Sequence, residues 1–328
     1  MARLKKNAVT IKVYPGYGHT HNLIVYGHVL KSKAVTRRKY TNNILSNIIH
    51  LLKLFFVQPY PNAIVQLQWN NQLLQAKTEK DGFFKFGWKS DTEVAIGFHP
   101  VTVQIVTEDG ESVAVGQSHV FVPHSTQYAV ISDIDDTVLI SHSASIWRRL
   151  REMFTKNPRS RKSFNDVVKH YQLLSTAQTT AGMPNPFFYV SSSEWNLYED
   201  LSEFFKHNGF PPGIFLLNQL KRWFQLWKTG KTKHEGKLIR AARIIDAFPK
   251  QQFILLGDNT QSDPLIYTSI AEKYPQKVFA IYIRNVREQN TENTLKLLQR
   301  AADKGVFTCL FNSSREAISF SKKIGLIT

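Results

Sequence analysis

Three carboxylates fall within four positions in Asp133-Ile134-Asp135-Asp136-Thr137. They follow an apolar run, Tyr128-Ala129-Val130-Ile131-Ser132, which reads as a central strand. Carboxylates this close repel one another, and a fold tolerates them where a cation or a reaction uses them. A second acidic pair, Asp258 and Asp263, follows Phe253-Ile254-Leu255-Leu256. Asp258 is the natural partner of the first cluster around a divalent ion, and hard oxygen ligands suit Mg²⁺. Ser191-Ser192-Ser193 follow Phe187-Phe188-Tyr189-Val190. Hydroxyls and N–H groups at a strand-to-helix turn suit an anion, although serines also cap helices. Lys237, after Gly236 at the start of a predicted helix, is a cation that would read as a surface residue if it stood alone.

The elements that must hold these groups follow from periodicity. From residue 128 onward, apolar runs at 128–132, 187–190, 213–217, 253–256, 278–283 and 306–311 alternate with helical patterns such as 235–248 and 261–274. Continuous apolar strands alternating with helices predict a parallel sheet covered on both faces. Ligand sites in such sheets form at the C-terminal strand ends. The last helix opens with Ser313 and Glu316 at capping-box spacing. A helical insert is expected at about 141–185, carrying eight basic residues less Glu152 and Asp166. A second basic stretch, 221–237, has six basic residues less Glu235.

The first third reads as β, with runs at 22–30, 63–69, 83–86, 101–106 and 113–122. Lys80-Asp81-Gly82 and Glu108-Asp109-Gly110 between them are hairpin signals. Strands at this spacing predict an all-β sandwich. The exception is 41–57, where apolar residues recur at a helical period and Ser46, Asn47, His50 and Lys53 share the other stripe. Lys31, Lys33, Arg37, Arg38 and Lys39 precede it. Two readings stand: a helix packed on the sandwich, or an anchor on an anionic membrane surface. The expected domains are 1–126, the sandwich, and 127–328, the α/β domain.

The net charge of +17 over 328 residues favours an anionic partner: nucleic acid, an acidic membrane or a phosphorylated substrate. The single cysteine, Cys309, lies in an apolar run and reads as buried filler. It cannot form an internal disulfide, which fits a reducing, cytoplasmic setting. The basic N-terminus lacks the apolar region of a signal peptide. No apolar stretch reaches the ~20 residues a membrane span needs. Gly230-Lys231-Thr232 resembles the end of a phosphate-binding loop, but Gln225 stands where the earlier glycine belongs.

Taken in order, Asp133-x-Asp135-x-Thr137, Ser191, Lys237 and Gly257-Asp258-x4-Asp263 resemble the four motifs of the haloacid dehalogenase superfamily. The longer stretches Ala129-Val130-Ile131-Ser132-Asp133-Ile134-Asp135-Asp136-Thr137-Val138, Tyr189-Val190-Ser191-Ser192-Ser193-Glu194-Trp195-Asn196-Leu197-Tyr198 and Phe253-Ile254-Leu255-Leu256-Gly257-Asp258-Asn259-Thr260-Gln261-Ser262-Asp263-Pro264 narrow it. They resemble the actin-patch-type phosphatidate phosphatases. The sandwich with its Gly97-Phe98-His99-Pro100 turn is similar to that family's bacterial members. Family members often carry Pro where Glu194 stands, His where Gly236 stands, and Ser-Gly where Asn259-Thr260 stand. The Gly236 difference leaves Lys233 as an alternative motif lysine.

The resemblance implies a Rossmann-like hydrolase domain with a small helical cap. It implies Asp133 as nucleophile, Asp135 as general acid and base, and Ser191 and Lys237 as holders of the phosphoryl oxygens. It implies Mg²⁺ held by Asp133, the backbone carbonyl of Asp135, Asp258 and Asp263. The expected activity is Mg²⁺-dependent hydrolysis of phosphatidate, on a cytoplasmic protein that meets the membrane peripherally. Two other readings remain: a phosphatase for soluble or nucleic-acid phosphomonoesters, disfavoured by the lack of a nucleic-acid-binding motif, and a non-catalytic membrane-docking protein.

Overall fold

A computed structural model describes residues 9–31, 43–134, 166–219 and 233–328. Asp135, Asp136 and Thr137, most of the insert expected at 141–185, and most of the basic stretch 221–237 lie outside the described residues. The main division into two units falls between Pro123 and His124, where the expectation was 126/127.

The first unit contains β1 (Thr10–His19), β2 (Asn22–Leu30), β3 (Ile64–Trp69), β4 (Gln72–Lys77), β5 (Phe83–Trp88), β6 (Gly97–Val106) and β7 (Ser112–Val122). They form one sheet in the order β4-β3-β6-β7-β1-β2-β5. Every neighbouring pair is antiparallel except β1 with β7. The outer strands β4 and β5 approach each other, so the sheet is nearly closed. The Gln72 amide reaches the Lys89 carbonyl at 2.9 Å. An all-β unit is therefore present, hydrogen-bonded as one continuous sheet where two facing sheets were expected.

Alternation builds its core. Val65, Leu67 and Trp69 on β3 point inward with Val101, Val103 and Ile105 on β6, while Gln68 faces out. Glu108-Asp109-Gly110 is the expected hairpin, joining β6 to antiparallel β7 with a register shift between Ile105 and Val106. Asp81-Gly82 is a tight turn, with the Asp81 carboxylate accepting from Phe83 N at 3.1 Å. It is not a hairpin between paired strands, since β4 ladders only with β3 and β5 only with β2. Gly97-Phe98-His99-Pro100 is not a turn: it begins β6. Pro100 is tolerated there because β3 pairs with β6 only from Thr102 onward, leaving one neighbouring strand at that point.

Helix α1 (Ile44–Phe55) occupies the centre of the segment expected to be helical. Asn43 caps it, its carboxamide oxygen accepting from Ser46 N at 3.1 Å. No helix among the described residues is long and apolar enough to cross a membrane.

The second unit contains β8 (Tyr128–Asp133), α2 (Val167–Ser175), β9 (Phe187–Glu194), α3 (Tyr198–Asn208), β10 (Gly213–Asn218), α4 (Lys233–Ala247), β11 (Gln252–Asp258), α5 (Asp263–Lys273), β12 (Val278–Arg284), α6 (Thr291–Ala302), β13 (Phe307–Phe311) and α7 (Ser314–Lys323). Its strands are all parallel, in the order β10-β9-β8-β11-β12-β13. In chain order that is 3-2-1-4-5-6, a doubly wound arrangement whose direction switches between β8 and β11. Adjacent residues reach opposite faces: on β9, Phe187 meets Tyr171 of α2 and Phe188 meets Phe248 just after α4. Ser313 caps α7 and Glu316 reaches back to Asn312 N at 3.0 Å, as the capping-box spacing predicted.

Candidate active site

β8 and β11 lie side by side, Ser132 in register with Leu256. Their C-terminal ends therefore carry Asp133 and Asp258 out of the sheet at the switch point, where doubly wound sheets bind ligands. Asp263 joins them from the first residue of α5. Gly257 makes that approach possible: a Cβ there would sit 2.5 Å from Asp263 Oδ2 and 2.8 Å from the Tyr267 ring. Pro264 in the first turn of α5 sets the helix start immediately after Asp263.

The three carboxylates are buried and can each offer an oxygen within 4.8 Å of the others. Lys237 enters from α4 with 5% of its surface exposed. Its Nζ donates to Asp133 Oδ1 at 2.7 Å and to Asp263 Oδ1. Burial alone would lower the lysine pKa, but the two carboxylates more than offset this and hold it above its ordinary value. The lysine is therefore a fixed cation in the cluster. Asp258 is held from its other side by Thr260, whose backbone N–H donates to Oδ1 at 2.6 Å and whose hydroxyl donates to the same oxygen. Burial, and then the charge of Asp263, push Asp258 up to about 7, with Thr260 and Lys237 opposing.

Ser191 lies on β9, one residue past Val190, which is in register with Asp133. It is buried, and its Oγ accepts from Ser193 N at 2.9 Å. The three serines are strand residues and not the strand-to-helix turn expected. β9 runs on to Glu194 because β10, after a register shift, pairs Asn218 with Glu194. Among the predicted site residues, Asp133, Lys237, Asp258 and Asp263 come together, with Ser191 on the neighbouring strand. Asp135 lies outside the described residues, and so does the side chain of Lys233.

Several residues here carried no signal that singled them out. Thr260 clamps Asp258. Arg240, one helical turn after Lys237, donates to the Ser191 carbonyl at 3.3 Å. Asn259 fastens the loop after β11 to the loop after β12: its carboxamide donates to Asn285 Oδ1 at 2.6 Å and accepts from Val286 N and Arg287 N, both at 2.8 Å. An i, i+3 spacing from Lys237 could have found Arg240. Nothing local marks Asn259.

Residues 128–285 match the family described as the catalytic domain of phosphatidate phosphatase APP1. The match covers a little under half of the chain. The matched segment holds Asp133, Ser191, Lys237, Asp258 and Asp263. Over 159 residues the chain is 34% identical to phosphatidate phosphatase APP1 of Saccharomyces cerevisiae, covering 47% of this chain and 25% of the yeast protein. Over 188 residues it is 26% identical to the uncharacterized protein C29B5.04c of Schizosaccharomyces pombe, covering 57% of this chain and 29% of that one. The chain thus spans little more than a quarter of the curated relatives it matches. A carbohydrate acetylesterase of Xanthomonas citri aligns over 89% of this chain and 64% of its own at 11% identity, with a TM-score of 0.27, too low to carry an argument.

Proposed function

We propose that this chain is a phosphoric monoester hydrolase of the haloacid dehalogenase type, acting on phosphatidate or a closely related lipid phosphate. The observation that carries this reading is the buried cluster of Asp133, Lys237, Asp258 and Asp263 at the β8/β11 switch, inside the segment shared with the APP1 catalytic domain.

The donor set fits Mg²⁺: three buried carboxylates with oxygens within 4.8 Å, and no softer ligand among them. Asp133, Asp258 and Asp263 would hold the ion with the backbone carbonyl of Asp135. When bound, Mg²⁺ would offset the repulsion between the nucleophile and the phosphate.

The remaining roles belong to the chain. An Asp133 carboxylate oxygen attacks phosphorus, and the bond from phosphorus to the glycerol oxygen breaks. Asp135 gives its proton to that leaving oxygen, releasing diacylglycerol. Asp135 then takes a proton from water, the water oxygen bonds to phosphorus, and the acyl phosphate on Asp133 opens to free carboxylate and inorganic phosphate. Lys237 already contacts Asp133 and would hold a phosphoryl oxygen as charge redistributes; the Ser191 hydroxyl would do the same from β9. The substrate would be met at the surface of an anionic membrane.

The test compares phosphate release from phosphatidate in mixed micelles, p-nitrophenyl phosphate and a 3′-phosphorylated oligonucleotide, with Mg²⁺ and with chelator. Mg²⁺-dependent release favouring phosphatidate is expected. Release confined to the soluble esters would overturn the lipid assignment and keep the chemistry. Release unaffected by chelator would overturn the metal assignment.

A further inference from the structure

The turn after β11 carries two of the three clustered carboxylates. Asp258 ends the strand and Asp263 opens α5, with residues 259–262 between them. Asn259 anchors this turn. It is 1% exposed, and each of its polar groups is used. Its backbone N–H donates to the Arg284 carbonyl at 3.1 Å. Its carboxamide nitrogen donates to Asn285 Oδ1 at 2.6 Å and to the Arg287 carbonyl at 2.9 Å, while its Oδ1 accepts from Val286 N and Arg287 N. Its carbonyl accepts from the Asn290 carboxamide at 2.5 Å. These partners lie at the end of β12 or in the segment after it. That segment is tied in turn to β13: Asn285 N donates to the Phe311 carbonyl at 2.8 Å, and the Asn285 carboxamide donates to Asn312 Oδ1 at 3.1 Å. The turn that bears the carboxylates is thereby fastened to β12 and, through it, to β13.

Thr260 stands on this anchored turn and reaches back to Asp258. Its backbone N–H donates to Asp258 Oδ1 at 2.6 Å, and its hydroxyl donates to the same oxygen. Two donors on one oxygen restrain rotation of the carboxylate. The restraint has something to oppose, because Asp133 and Asp263 bring oxygens within 4.8 Å and repel Asp258. Without it, that repulsion would favour conformations that swing Asp258 out of the cluster in the metal-free protein. Hydrogen-bond donors behind a ligand orient it for its cation, and losing one costs about 10–100-fold in metal affinity.

We propose that Thr260 is a positioning residue for the divalent cation: seated by Asn259, it holds the Asp258 carboxylate ready to coordinate before the ion arrives. This role rests on the reading of the cluster as a Mg²⁺ site. It makes affinity for the ion depend on a hydroxyl outside the set of ligands.

The experiment is calorimetric titration of the full chain with Mg²⁺, in the absence of substrate, for wild type, Thr260→Val and Thr260→Ser. Valine keeps the branched shape and the backbone N–H and removes only the hydroxyl. Serine keeps the hydroxyl and drops a methyl group. Thr260→Val should weaken Mg²⁺ binding at least about tenfold, whereas Thr260→Ser should bind nearly as tightly as wild type. The thermal midpoint of Thr260→Val in chelator should fall by no more than about 4 °C, the effect of one lost hydrogen bond. A larger fall would make the weakened binding a consequence of lost structure and overturn the positioning role. Wild-type affinity in Thr260→Val would overturn it and leave the metal site standing. Equal weakening in both variants would also overturn it, since serine retains the hydroxyl. A wild-type protein that takes up no Mg²⁺ would contradict the metal reading itself, and this role of Thr260 with it.

Discussion

Lys237 is the residue on which the cluster turns. Two buried carboxylates, Asp133 and Asp263, contact one buried ammonium, with Asp258 close behind. Removing one partner of such a set leaves charge buried without compensation, at a cost of roughly 3–5 kcal/mol. Lys237→Met should therefore lower stability by about that amount in chelator, and by clearly less in saturating Mg²⁺, where a bound cation takes over part of the lysine's role. Thermal unfolding under both conditions checks this; equal losses would argue that no cation enters the cluster. The residue types of this site were legible because acids at strand ends are conspicuous, and because four motifs in order outweigh any one of them. Thr260 and Asn259 were not legible. Their contacts depend on where the loops after β11 and β12 lie in space, and neither residue type announces such a role. Gly257 shows the same limit: its need is set by Asp263 and Tyr267 packing against it.

At the scale of elements, α2 and α7 are joined on one face of the parallel sheet by a buried polar contact. His170 Nε2 lies 3.2 Å from Ser321 Oγ, and the Tyr282 hydroxyl lies 2.7 Å from the same oxygen. Burial, and then the nearby Arg284 charge, lower the His170 pKa to about 3. The unfolded chain thus takes up a proton near the ordinary value of 6.5 while the folded protein does not. Stability from this group is complete above that value and is lost as pH falls below it. His28, buried in the first unit and also lowered by its burial, acts in the same sense. His170 and His28 should make the urea midpoint fall between about pH 6.5 and 5, a fall that Asp258, held up at about 7, partly offsets because it takes up its proton in the folded protein. His170→Gln should flatten part of that fall; an unchanged slope would show that His170 is protonated in the folded protein. Most strands were readable from apolar runs, but β1 and β4 were not. β1 carries Pro15, Gly16 and Gly18, which read as turn residues. β4 is an outer strand of modest burial whose Gln72-Leu73-Leu74-Gln75 stretch puts Leu73 in solvent, 60% exposed. The pairing of β1 with β7 is non-local and leaves no mark in the turn residues, and the turn at Asp81-Gly82 does not tell that the strands it joins pair with other partners.

At the scale of the whole molecule, the sequence divides into a nearly closed β unit and a parallel α/β unit, and the catalytic-domain match coincides with the core of the second. The alternation of apolar runs and helices made that division readable, and the order of the motifs made the strand ends readable as a site. The +17 charge pointed to an anionic partner without naming one. The proposed reading rests on chemistry: buried carboxylates with a lysine between them would suit phosphoryl transfer.

The measurement that tests this most directly is Mg²⁺-dependent phosphate release from phosphatidate by the wild-type protein and by Asp133→Asn, with circular dichroism to show that the variant folds. Asp133 as nucleophile predicts a loss of at least about a thousandfold, since the neutral amide cannot form the acyl phosphate. A folded Asp133→Asn protein that releases phosphate at near wild-type rate would contradict the account at its centre.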